Sequence, residues 1–308
     1  MTERTENIVF APIGWLMKAI AWLPWRALYA LATLLYVIIY KLIGYRVKIV
    51  RKNLAECFPT RDEAWLRDVE RKFYRHFADY FVETLKMAHI TDDEMRRRMV
   101  FRNTEIIDRA ISGGQSIILY AAHYCNWEWL TSITLWFRPE TIASGATLGQ
   151  AYQPLENRWF DRYFLRLRER FNTQCFTKQR VLREMLSAER DGRHLVIGMI
   201  SDQHPIAGHE NFVRMFLNHP TAIITGPEAI ARKLNTQAAY FDVRRVARGH
   251  YECTMVPIHT NCRDTAEHEL TNRFADILEQ RIIAEPPYWL WTHNRWKRPV
   301  EMPQEENG

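Results

Sequence analysis

Cysteine is scarce in this chain and never paired. The five residues Cys57, Cys125, Cys175, Cys253 and Cys262 are odd in number, scattered, and include no CxxC. That excludes a disulfide framework and points to reduced thiols in a reducing compartment. Internal repeats, low-complexity tracts and an interdomain linker are also missing. So are zinc-finger spacings and aromatic RNP-type motifs, which removes the common nucleic-acid modules. The Asp202, His204, His209 group brings no third close ligand at a known metal spacing, and Pro205 and Gly208 mark it as a loop, so no metal is expected there.

What is present is apolar and aromatic. Of the 308 residues 47% are apolar, 13% are aromatic and 11 are tryptophan, which excludes disorder and supports a sizeable core. The net charge of +6 suits an anionic partner. With the arginines spread along amphipathic helices, anionic lipid or an acidic carrier protein fits better than nucleic acid. Residues 27–40, ALYALATLLYVIIY, carry no charge, and residues 8–25 before them are nearly as apolar. With Pro24 and Arg26 interrupting, this reads as a membrane anchor at residues 1–45, lying in the interface or marginally spanning. A buried core helix is the alternative. Arg46, Lys48, Arg51 and Lys52 follow and suit an anionic leaflet. Residues 46–308 read as a single α/β domain.

Within that domain, Thr60 and Glu63 read as a capping box opening a long helix, with Trp65, Val69, Phe73, Phe77 and Leu85 on its inner stripe. Strands are expected at 117–122, 141–146 and 195–200, with residues 150–157 as a loop feeding a helix over 159–171. A helix is expected over 178–190, and Gly226-Pro227 opens another. A β-hairpin is expected over 238–258 around Arg248-Gly249, and a helix capped by Asp264 and Glu267 runs to about residue 284.

The chain centres on residues 116–130, SIILYAAHYCNWEWL. An apolar strand ends at His123, and Glu128 follows five positions later. In open α/β sheets, ligands bind beyond the carboxyl ends of strands, so a histidine there with a carboxylate nearby has the makings of a general base and its orienting partner. The spacing alone is weak: about 1.3 such pairs are expected by chance in this composition. The chain has three, the others being His89 with Glu94 and His259 with Asp264, and only His123 follows an uninterrupted apolar strand. Asp202 ends the 195–200 strand in the same manner. Cys125 reads as a small buried residue rather than a nucleophile.

Five blocks taken together resemble the late acyltransferases of lipid A biosynthesis, in the lysophospholipid acyltransferase superfamily. They are the apolar N-terminus, HYCNWE, AYQPLENRWFDRYF, the strand ending SDQ, and the tail WLWTHNRWK. The resemblance implies a mixed central β-sheet flanked by helices. It also implies cofactor-free transfer of an acyl group from an acyl-carrier-protein or acyl-CoA thioester to a hydroxyl of a membrane glycolipid, on the cytoplasmic face of the bacterial inner membrane. His123 would take the hydroxyl proton, Glu128 would hold and polarise His123, and Asp202, Gln153, Tyr152, Asn126 and Arg162 would bind substrate. The family commonly has Tyr-Arg-Pro where this chain has Tyr152-Gln153-Pro154, so a charged fork is replaced by a neutral amide on the acceptor side. The arginine-rich helix at 162–170 is the candidate surface for an acidic carrier, or else a solvated face. Other acceptors, an aminolipid or a phosphoinositol glycolipid, stay open, as does a non-catalytic lipid-binding role.

Overall fold

The computed structural model describes residues 3–302. Helix α1 (Glu3–Trp22) ends before Pro24, which cannot donate to a continuing helix, and α2 (Trp25–Tyr36) starts immediately after it. A π-helical stretch, Val37–Leu42, extends α2. Trp25–Leu42 is long and apolar enough to cross a membrane, with a mean hydropathy of 1.3. Helix α3 (Val47–Cys57) leads to α4 (Glu63–Lys86). A turn closed by the Arg61 N–H on the Phe58 carbonyl occupies the expected cap, so Asp62 rather than Thr60 caps α4, accepting from Trp65 N at 2.7 Å. The inner stripe of α4 is buried at Val69, Phe73 and Phe77.

After α5 (Asp92–Arg98), capped by Thr91, come β1 (Met99–Arg102), α6 (Glu105–Ser112) and β2 (Ile117–Ala121). A 3-10 helix, Trp127–Trp136, follows β2, and α7 (Pro139–Ala143) stands where a strand was expected over 141–146. Pro139 sets the φ of a first helical turn, and Gly145, with φ of 77°, ends it. The strand β3 (Thr147–Tyr152) therefore begins later than expected and takes in Gln150–Tyr152, read from sequence as loop. Next come α8 (Arg158–Arg168), β4 (Thr173–Thr177), α9 (Val181–Arg190) and β5 (Leu195–Ile200). A separate small hairpin pairs β6 (Val213–Phe216) with β7 (His219–Ala222).

Helix α10 (Gly226–Leu234) precedes the long hairpin of β8 (Gln237–Ala247) and β9 (His250–His259), turned at Gly249 with φ of 68°. The last helix, α11 (Glu269–Ala284), starts later than Asp264 predicts. Residues 262–264 form a 3-10 turn of their own, and Glu269 reaches back to the Ala266 N–H at 3.0 Å.

The main sheet has the order β1-β9-β8-β2-β5-β3-β4, parallel throughout except for the β8–β9 hairpin. The architecture is thus α/β, with a mixed, mostly parallel sheet flanked by helices. On one face Tyr120 stacks on Phe274 of α11, with ring centroids 5.2 Å apart. The alternate residues Ala121, Gly198, Ile200, Leu148 and Gln150 face the other way, into a cavity. Gly149 sits where β3 is crossed closely: a Cβ there would lie 2.5 Å from the Phe176 ring and 2.7 Å from Ile197. Gly149→Ala should overpack this contact and cost about 1–3 kcal/mol, visible as a lowered melting temperature of the detergent-solubilised protein; an unchanged melting temperature would show that β3 has slack here.

Candidate active site

Register builds the site. Ala121 of β2 pairs with Ile200 of β5, so His123 and Asp202, each two residues further on, emerge side by side at the same sheet edge. The His123 Nδ1–H donates to Asp202 Oδ1 at 2.8 Å, and the His123 backbone N–H donates to Oδ2 at 3.0 Å. Trp289 Nε1–H adds a third donor to Oδ2, at 2.8 Å. Burial works to raise the Asp202 carboxyl, but the charge and hydrogen bond of His123, the Trp289 bond and nearby Arg295 outweigh it and hold the carboxyl down at about 2. An ionised Asp202 can only accept, which fixes the proton on Nδ1. Nε2 then carries the lone pair and accepts from the Gln203 side-chain amide at 3.3 Å.

The loop that presents His123 is pinned by the C-terminal segment. Cys125 takes a left-handed φ of 52°, unusual for a non-glycine residue. Its N–H donates to the Tyr288 carbonyl at 2.9 Å, and the Leu290 N–H donates to the His123 carbonyl at 3.1 Å. That segment is itself anchored by α3, where Asn53 Nδ2 donates to the Trp291 and His293 carbonyls and Arg46 donates to that of Thr292. Arg46 thus serves the tail, and Arg51 pairs with Glu70 while its side chain stays 57% exposed.

His123 opens onto a cavity of about 260 Å³ lined by Ala121, Gly198, Ile200, Leu148 and Phe241, with Tyr152, Gln153 and Lys178 among its polar residues. Glu128 lines it as well, yet it is not the partner of His123. Both of its oxygens are taken by Arg168, Nε to Oε2 at 2.8 Å and Nη2 to Oε1 at 2.7 Å. Five residues of chain, which turn at Cys125 and enter a 3-10 helix, carry the Glu128 carboxylate to α8, while β5 delivers Asp202 directly to the imidazole.

Three other residues expected to bind substrate have partners within the protein. Asp202 orients the histidine and does not line the cavity. Asn126, fully buried, donates to Glu83 Oε2 at 2.8 Å and accepts from the Trp129 N–H, so it ties the loop to α4. Arg162 pairs with Glu6 of α1 at 3.0 Å, away from the cavity. Within the arginine-rich helix, Arg168 and Arg170 likewise hold Glu128 and Asp92, and Arg166 is exposed. Tyr152 and Gln153 do reach the cavity, at the end of β3. Sequence reasoning missed Arg168, Trp289, Gln203 and Lys178. Arg168 lay in the arginine-rich helix, Gln203 in the SDQ block and Trp289 in the tail block, but nothing in their spacing says which group each would meet.

A model of the family described as bacterial lipid A biosynthesis acyltransferase matches residues 5–298. Across 306 residues the chain is 26% identical to the lipid A biosynthesis lauroyltransferase of Escherichia coli (strain K12), covering 94% of each protein.

The two fixed donors on Asp202 Oδ2 make Asp202→Asn informative. The amide oxygen must stay with them, turning its NH₂ toward Nδ1 and driving the proton to Nε2. Long-range ¹H–¹⁵N correlations of His123 should show the Nδ1–H tautomer in the natural protein, its loss in Asp202→Asn and its retention in Glu128→Gln. The reverse pattern would make Glu128 the partner.

Proposed function

The chain belongs to the bacterial lipid A biosynthesis acyltransferases, and on that footing we propose that it moves a fatty acyl group from an acyl-carrier-protein or acyl-CoA thioester to a hydroxyl of a lipid A precursor. The observation that carries this reading is the His123 imidazole, held by Asp202 through Nδ1 with its Nε2 lone pair toward the cavity. The acceptor hydroxyl oxygen attacks the thioester carbonyl as Nε2 takes its proton. The tetrahedral intermediate then collapses, breaking the carbon–sulfur bond, and the departing thiolate recovers the proton from the imidazolium. No covalent acyl-enzyme is needed, in keeping with a buried Cys125 whose thiol is pushed well up by burial. Asp202, ionised throughout, stabilises the imidazolium.

The oxyanion needs donors. The proposed ones are backbone N–H groups at the start of the 127–136 helix, where Trp127 and Glu128 line the same cavity. Glu128 and Arg168 form a rigid, charge-balanced wall that positions substrate, so Glu128 is a positioning residue. Tyr152, Gln153 and Lys178 are the groups proposed to meet the acceptor. Lys178, whose backbone N–H bonds the Tyr152 carbonyl at 3.1 Å, places a cation beside the position where the family commonly has arginine. The N-terminal segment, with Trp15, Leu16 and Leu42 all more than half exposed, is proposed to hold the enzyme at the cytoplasmic face of the inner membrane.

The acyl chain is proposed to run along the sheet face under the 127–136 helix. Ile200 and Gly198 point into this space, and Gly198 lies about 7 Å further from the strand end at the rise of a β-strand. Its missing side chain leaves room for methylenes, the nearest atom to an added Cβ being the Gly149 carbonyl at 3.8 Å. Transfer of labelled acyl groups to a lipid A precursor should fall roughly 10²–10⁴-fold in His123→Ala, and retained transfer would overturn the mechanism. Gly198→Met should shift the transferred chain to shorter lengths by mass spectrometry of product lipid; an unchanged chain length would move the acyl channel elsewhere.

A further inference from the structure

A second cavity, of about 470 Å³, shares no lining residue with the one beside His123. One wall is the α2 helix and its π-helical extension, through Thr33, Tyr36 and Val37. The other is α4 and the β8–β9 hairpin, contributing Lys72, Arg75, Arg245 and Arg248 against the single carboxylate of Asp79. That carboxylate is buried and positions two of the cations, accepting from Arg245 Nη2 at 3.0 Å and from Arg248 Nε at 3.0 Å and Nη2 at 2.6 Å. Arg248 is braced further by the Tyr29 carbonyl at 3.2 Å. Lys72 pairs with Asp68 outside the cavity, and Arg75 has no carboxylate within ion-pair distance among the described residues, standing 5.6 Å from the Tyr36 ring.

One buried anion thus gathers more positive charge than it neutralises, in a concave site whose guanidinium groups are already oriented. Such an array fits an oxyanion with several acceptor atoms, and phosphate is the usual match for arginine forks. The rim indicates which source of phosphate. Leu34 on α2 and Val246 between the two hairpin arginines are each 56% exposed, and only 17% of the Trp25–Leu42 segment is buried within the protein. Cations sunk beside outward-facing apolar side chains match the boundary between lipid headgroup and acyl chain.

We propose that this cavity binds the phosphate of an anionic membrane phospholipid, apart from the acyl-transfer site, and seats the α2 helix and the β8–β9 hairpin together at the membrane surface. The inference does not depend on the transfer mechanism. It is tested on the full chain in neutral maltoside detergent by native mass spectrometry, with phosphatidylglycerol, phosphatidylcholine or inorganic phosphate added at equal concentration. The natural protein should retain one phosphatidylglycerol in preference to phosphatidylcholine. Lys72→Glu combined with Arg75→Glu, both at exposed positions, should lower that retention roughly tenfold, and the milder Lys72→Gln with Arg75→Gln should lower it less. Arg183→Glu with Arg190→Glu on α9 makes the same change in net charge far from the cavity in the sequence and should leave retention unchanged. Equal loss in the two charge-reversed pairs would reduce the effect to overall charge and overturn the site. Absence of a phosphatidylglycerol preference would overturn it too, and an equally persistent inorganic phosphate adduct would overturn the lipid assignment.

Discussion

A carboxylate withdrawn from water must be given donors, and much of this protein is tied together where that requirement is met. Helix α4 carries three such groups on its buried side. Glu70 accepts from Tyr40 and Arg51, Asp79 from Arg245 and Arg248, and Glu83 from Tyr29, Asn126 and Tyr251. Each collects segments distant in sequence. Through them the N-terminal helices, the long hairpin and the loop following His123 are all referred to one helix. Leaving any of these acids unpartnered would cost several kcal/mol, so the donors are as constrained as the acids. Burial leads the influences on Glu83 and raises its carboxyl, with Asp79 adding to the rise and the bonds from Asn126 and Tyr251 opposing it.

Asp202 is the same device at the sheet edge, and there it has a chemical consequence. Its three donors come from β2's exit, the imidazole and the C-terminal segment, so strand register and tail docking together determine which nitrogen of His123 holds the proton. The left-handed Cys125 is sustained by that arrangement: the backbone bonds to Tyr288 and Leu290 hold the loop in a conformation it would not adopt alone. The tail block is therefore a structural brace for the histidine, and Trp289 is its point of action.

The second acid of the site has a different role. Glu128 is saturated by Arg168 in a bidentate pair, and burial, which alone would lower the Arg168 guanidinium, is overcome by that bond and by the Glu128 charge. An acid so matched has both oxygens occupied, and with Arg168 it makes a stiff wall of the cavity that His123 opens onto. Separating the two carboxylates in this manner gives one the tautomer and the other the shape of the cavity.

The sequence by itself determined the α/β class, the strand preceding His123, the matching strand-end position of Asp202 and the apolar N-terminal segment. Each is a local signal: an uninterrupted apolar run, a punctuating glycine, a residue where the run stops. Turn chemistry was legible at Gly226-Pro227 and Gly249. It misled at Thr60 and Asp264, where a preceding turn or 3-10 segment displaced the cap. Tertiary structure alone decided which acid faces which base. Pairings such as Asp202 with His123, Arg168 with Glu128 and Asp79 with the hairpin arginines span 79, 40 and more than 160 residues. No periodicity encodes them, because they depend on strand order in the sheet and on where a helix lands against it. The same reason sent Asn126 and Arg162 to structural partners. Residue type says that a group can bind a substrate, and only packing says whether something in the protein has already bound it.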